Sequence, residues 1–176
     1  QGQQPERIHG KARKRNLLWG IYLGVKTENN QWYLWFGGQH INSYSKVTAV
    51  VPSYNHAGFL RQRLESILEQ SYRNVELIVI DDCSSDDSDE VIKSLLKQHD
   101  FQYIRNPKNS GTPFAIWEKA GSLATGDYIW ICESDDFADP TFLETAVDKM
   151  QENPDAVLFY CNSSVVDKEG KQVGHT

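Results

Sequence analysis

Three signatures are missing from this 176-residue chain, and each absence closes a class of function. No stretch reaches the ~20 consecutive apolar residues that span a bilayer as a helix. The longest, residues 17–25, is broken by Gly20 and Gly24. No signal-peptide pattern is present either. No Gly-x-Gly-x-x-Gly follows a strand-like run, so the usual dinucleotide cradle is missing and hydride transfer through NAD is disfavoured. Cysteine is scarce: Cys83, Cys132 and Cys161 are odd in number, far apart and outside zinc-ligand spacing. They read as reduced core residues of a cytosolic protein, and no structural zinc is expected.

What is present is unevenly charged. The net charge of −6 conceals a basic first quarter, with six Lys/Arg against two Asp/Glu in residues 1–45. The remaining 131 residues carry twelve against twenty-two. An acidic main domain lacks the basic surface that a nucleic-acid groove needs, so no nucleic-acid partner is expected. Residues 1–45 hold the basic cluster Arg7, Lys11, Arg13, Lys14 and Arg15, then an aromatic-rich segment with Trp19, Tyr22, Trp32, Tyr33, Trp35 and Phe36. This appendage reads as a membrane-surface or partner-docking arm, the remnant of a preceding domain, or a short hairpin or helix packed on the main domain. The chain begins at Gln1 rather than Met and is expected to be a piece of a longer protein.

From Lys46 a strand–helix alternation begins, making 46–176 one α/β domain. Strands are expected at residues 47–51, 75–80, 101–104, 128–132 and 156–160, with a further strand at Val165-Val166 and a turn after it. The run 75–80 is almost wholly aliphatic, as expected when both faces of a sheet are covered. Between the strands, Phe59, Leu60, Leu64, Ile67 and Leu68 form one apolar helical face. Ser84 and Ser85 can cap a second helix. Pro113 and Pro140 open two more helices. Such alternation predicts a mostly parallel sheet with helices on both faces.

Ligands of such sheets bind outside the carboxyl ends of the strands. Four polar clusters fall there: Pro52-Ser53-Tyr54-Asn55, Asp81-Asp82, Asn109-Ser110-Gly111, and Glu133-Ser134-Asp135-Asp136. Three carboxylates within four positions repel one another, and a cation shared with an anionic diphosphate would reconcile them. An acidic first turn for the next helix is the alternative.

These residues, taken in order, closely resemble family-2 glycosyltransferases of the GT-A fold. The resemblance rests on Val47-Thr-Ala-Val-Val-Pro-Ser-Tyr-Asn55, Leu64-Glu-Ser-Ile-Leu-Glu-Gln70, Val75-Glu-Leu-Ile-Val-Ile-Asp-Asp82 with Ser84, Gly126-Asp-Tyr-Ile129 and Ser134-Asp-Asp136. It runs from about residue 46 to 162. Trp117 and Trp130-Ile-Cys-Glu133 look like a bacterial subset with a Trp-Ile-x-Glu-Ser-Asp-Asp metal motif, often found within multidomain polysaccharide enzymes. The resemblance implies a donor such as a UDP-, GDP- or dTDP-sugar and a glycan or lipid-linked acceptor. Pro52, Ser53 and Tyr54 would contact the nucleoside and Asp82 the base, with Asp81 and Asn109 beside them. Asp135 and Asp136 would hold Mn²⁺ or Mg²⁺ on the diphosphate. Glu133 stands where many members have Asp and would serve the metal or the ribose. Ile116 and Trp117 occupy places where many members carry Arg-Asn, so no phosphate-binding arginine is assigned.

The implied reaction is an inverting displacement at the anomeric carbon, and the family's general base is expected beyond Thr176, since Asp167 and Glu169 come too early. This piece is therefore expected to bind donor without transferring sugar by itself, in the cytoplasm or peripheral to the inner membrane. A non-catalytic nucleotide-binding or docking module is the alternative. A receiver-like signalling domain is disfavoured, because no lysine directly follows residues 156–160.

Overall fold

The computed structural model describes residues 23–26, 32–33, 45–167 and 171–175. The basic cluster at Arg7–Arg15, the pair Gly37-Gly38 expected to turn the chain before the main domain, and Glu169 lie outside the described residues, as does most of the aromatic segment.

The described residues between 21 and 161 form one compact unit. Its sheet contains β1 (Leu23–Lys26), β2 (Trp32–Tyr33), β3 (Val47–Ser53), β4 (Val75–Asp81), β5 (Gln102–Arg105) and β6 (Tyr128–Ile131), in the order β2-β1-β6-β3-β4-β5. The four strands from β3 to β6 pair in parallel, while β1 runs antiparallel to β6 through Leu23↔Trp130 and Val25↔Tyr128. The helices are α1 (Ala57–Leu68), α2 (Ser88–Leu96), α3 (Pro113–Leu123) and α4 (Phe142–Glu152).

Alternation along the central strands sends side chains into two cores. Val47, Ala49 and Val51 of β3 pack with Leu60 and Leu64 of α1, Ile92 of α2 and Leu143 of α4. Val50 turns the other way, joining Ile78, Ile80 and Ile129 under Ile116, Ala120 and Ala124 at α3. Helices therefore cover both faces, which is why the central strands are near-continuous in apolar residues.

Several expectations need correction. Residues 156–160 are not a strand. Ala156 and Phe159 pack on the core instead, with the Phe159 ring 6.1 Å from that of Phe142, while Leu158 and Tyr160 are exposed. Strand β3 runs through Pro52 to Ser53. Its pairing with β6 ends at Val50↔Ile131, so the missing proline N–H breaks no ladder bond on that side. Ser84 and Ser85 do not cap α2, which starts at Ser88 after Asp87. Phe59 is half exposed rather than part of the buried α1 face.

The second unit's described part is a hairpin of β7 (Ser164–Val166) and β8 (Gln172–His175), antiparallel with a register shift between Val165 and Val166. Among the described residues no helix is long and apolar enough to cross a membrane.

Candidate functional site

The carboxyl ends of β3 and β4 finish flush, with Pro52↔Ile80 and Ser53↔Asp81 in register. Four loops leave the sheet at this edge and enclose an open cleft of about 390 Å³. From the first come Pro52, Ser53, Tyr54 and His56; from the second, Asp82; from the third, Asn109, Gly111 and Thr112, with Pro113 and Ile116 of α3; from the fourth, Glu133 and Ser134. Six of the residues expected from the sequence therefore share one hollow. Asp81, Asp135 and Asp136 do not line it.

The loops are tied to one another. Asn55 adopts a left-handed backbone (φ 57°), a conformation asparagine tolerates. Its backbone N–H donates to Ser84 Oγ at 2.8 Å, and its Oδ1 accepts from the Ser85 N–H at 2.8 Å. The first and fourth loops meet where His56 Nδ1 lies 2.6 Å from Ser134 Oγ. The third loop turns at Gly111 (φ 78°), whose N–H donates to Asn109 Oδ1 at 2.7 Å. A side chain at that φ would be strained.

The two neighbouring aspartates have different work. Asp81 is wholly buried, accepts a hydrogen bond from Ser84 Oγ and pairs with Arg105 Nε at 3.3 Å. Its carboxylate is taken up inside the protein. Asp82 is 5% exposed and lines the cleft. Asn106 Nδ2 donates to its Oδ1 at 2.7 Å, and the Ser110 N–H and hydroxyl donate to its Oδ2 at 2.9 and 2.7 Å. Burial raises the Asp82 pKa, but these donors more than offset it and hold the carboxyl below its usual range. Asp82 is thus an ionised acceptor of fixed orientation. Close by, Ser53 Oγ is buried with no hydrogen-bond partner among the described residues, and Tyr54 leaves 48% of its surface free.

The fourth loop has the opposite electrostatics. Burial, then repulsion from Asp135 and Asp136, raises the Glu133 pKa, while Arg63 opposes the rise. Asp136 is also raised, first by desolvation, with Arg63 opposing and Asp135 adding. Among the described residues no three His, Cys, Asp or Glu side chains converge on one point, so these residues alone form no closed metal cage. Hard carboxylate oxygens on an exposed loop fit a cation of the Mg²⁺ or Mn²⁺ type that takes its other ligands from phosphate and water. Cys132, just before this loop, has its thiol pushed up to about 12 by burial, which removes it as a thiolate ligand or nucleophile.

Sequence reasoning missed His56, Ser134 and Arg63. His56 directly follows the matched Asn55, and Ser134 was quoted only as part of a motif. Arg63 gave no signal: it is fully buried on α1 with its Cζ 5.3 Å from the centroid of the Trp130 ring.

Comparison with known proteins places this geometry. The Glycosyl transferase family 2 model matches residues 48–175. An uncharacterized glycosyltransferase of Haemophilus influenzae is 37% identical over 128 residues, covering 72% of this chain and 50% of that protein. Glycosyltransferase GlyG of Streptococcus pneumoniae is 34% identical over 106 residues, covering 60% of this chain and 35% of that protein. Among solved structures, S. aureus TarS 1–349 in complex with UDP superposes with a TM-score of 0.57 at 26% identity, covering 61% of this chain and 32% of that one. The chain thus spans a third to a half of the length of these relatives.

Proposed function

Because the chain belongs to glycosyl transferase family 2, we propose that it is the donor-binding portion of an inverting glycosyltransferase that takes its sugar from a nucleoside diphosphate. The observation that carries this reading is the single cleft joining Tyr54, Asp82, Asn109 and Glu133 at the carboxyl edge of the parallel sheet. Support also comes from the UDP bound by the S. aureus TarS structure.

In this reading the half-exposed Tyr54 ring packs on the base, and Asp82 accepts an N–H of the base with a carboxylate already oriented by Asn106 and Ser110. Asp81 fixes the backbone beside it. Pro52 shapes the floor, and the unpartnered Ser53 hydroxyl is available to the nucleoside. Asn109 turns the third loop over the cleft. Glu133 takes a ribose hydroxyl or a place on the metal. Asp135 and Asp136 hold Mn²⁺ or Mg²⁺ against the diphosphate. When bound, that cation neutralises charge on the departing nucleoside diphosphate as a Lewis acid. An acceptor hydroxyl attacks the anomeric carbon from the opposite side, and a carboxylate must take its proton. We assign that base to none of the matched motif residues, so the 176-residue chain binds donor without efficient transfer. The setting we propose is bacterial polysaccharide or cell-surface glycan synthesis in the cytoplasm, with a glycan or lipid-linked acceptor.

Calorimetric titration of UDP, GDP and dTDP, with and without Mn²⁺, tests the reading on the parent chain and on Asp135→Ala. One nucleotide is expected to bind in a manner that needs both the cation and Asp135. Equal affinity without cation, or in the variant, contradicts it.

A further inference from the structure

Helix α1 carries a polar stripe inside its packed face. Arg63 and Ser66, three residues apart, share one side of the helix, and Gln70 follows just past its C-terminal end. Two of them hold the segment that follows the acidic residues. Ser66 Oγ accepts from the Ala138 N–H at 3.3 Å. Gln70 Nε2 donates to Asp139 O at 2.6 Å, and its Oε1 accepts from the Leu143 N–H at 2.9 Å. Just beyond, the Ser71 N–H donates to Pro140 O at 2.7 Å.

Arg63, first of the three, differs from the other two. It is 0% exposed, and Nε, Nη1 and Nη2 all lack a hydrogen-bond partner among the described residues. Burying an unpaired charge is costly, and native chains almost always pair such groups. The Trp130 ring at 5.3 Å offsets part of the cost. Its guanidinium faces Trp130, while Ser66, one turn further along α1, holds Ala138, and the chain between those two points carries Glu133, Asp135 and Asp136.

We infer that Arg63 is a positioning residue: a built-in positive charge behind the acidic loop that, with Ser66 and Gln70, holds its carboxylates at the sheet rim, set for a cation and a diphosphate. The inference rests on the proposed donor-site reading. Residues behind metal ligands commonly change metal affinity by roughly 10–100-fold when removed. An apolar side chain of similar length in place of a buried charge need not destabilise the fold.

The test is made on the full chain by titrating the nucleotide that the parent binds, in the presence of Mn²⁺, alongside thermal melts. Arg63→Met is expected to keep or raise Tm and to weaken cation-dependent nucleotide affinity by roughly 10–100-fold. Arg63→Gln, a second neutral variant, should lose affinity likewise, whereas Arg63→Lys, which keeps the charge, should recover most of it. Parental affinity in the neutral variants overturns the inference and leaves the donor site standing. So does an equal loss in Arg63→Lys, since charge would then not be the cause. A parent chain that binds no nucleotide overturns the donor-site reading and this inference together.

Discussion

Asp82 and Glu133 face one cleft with carboxyls driven in opposite directions, and pH separates them. The Asp82 pKa is depressed in the folded protein, so its stabilisation is complete above the unfolded carboxylate range of about 4 and is lost as pH falls through the folded value. Glu133 is raised, so its ionisation favours unfolding as pH climbs through and above that range. Glu133→Gln is therefore expected to raise Tm near neutral pH, with the gain vanishing below about pH 4 in melts at several pH values. Asp82→Asn keeps the shape but replaces an ionised acceptor. It should weaken nucleotide binding by about 1.5–3 kcal/mol, the range for a hydrogen bond to a charged group, read by titration. Asp82 and Tyr54 were legible because turn residues after an aliphatic strand declare themselves. Arg63 was not, because a charged residue in a helical pattern reads as solvated and spacing alone carries no measure of depth.

Among the elements, the strands from β3 to β6 were plain from their aliphatic runs, but residues 156–160 misled. A continuous apolar run such as Ala156-Val-Leu-Phe-Tyr160 shows that some of a segment is buried; it does not show which partner buries it. Here β1 occupies the free side of β6, and Phe159 packs on Phe142 of α4 instead. The polar groups of α1 and the residues just after it were hidden for a related reason, since Ser66 and Gln70 bond to backbone groups 69–73 residues away that no local pattern announces. Gly126 in the matched Gly-Asp-Tyr-Ile segment is likewise set by tertiary contact. A Cβ there would lie 2.7 Å from Lys46 O and Thr48 N, both backbone atoms. Gly126→Ala should cost about 1–3 kcal/mol as an overpacking change. For a domain of this size that is a fall of about 2–4 °C in Tm per kcal/mol, measured by thermal melts.

For the molecule as a whole, no one loop defines the site; the sheet does, by delivering four polar loops to one edge. That edge was legible from the order of the strands and motifs. The ties that close it, His56 to Ser134 and Asn55 to Ser85, depend on side-chain directions that only the folded chain fixes. This chain spans only part of the length of its relatives, and the proposed reading assigns it donor binding alone. With donor sugar and Mn²⁺ it should bind stoichiometrically yet release nucleoside diphosphate slowly, and a longer protein containing it should turn over.

The most direct measurement is anomalous diffraction from crystals of the chain grown with Mn²⁺ and the nucleoside diphosphate it binds. The account predicts one manganese peak bridging the diphosphate and the Asp135 or Asp136 carboxylate, with the base beside Tyr54 and Asp82. Nucleotide seated away from this cleft, or seated in it with the metal remote from both aspartates, would contradict it.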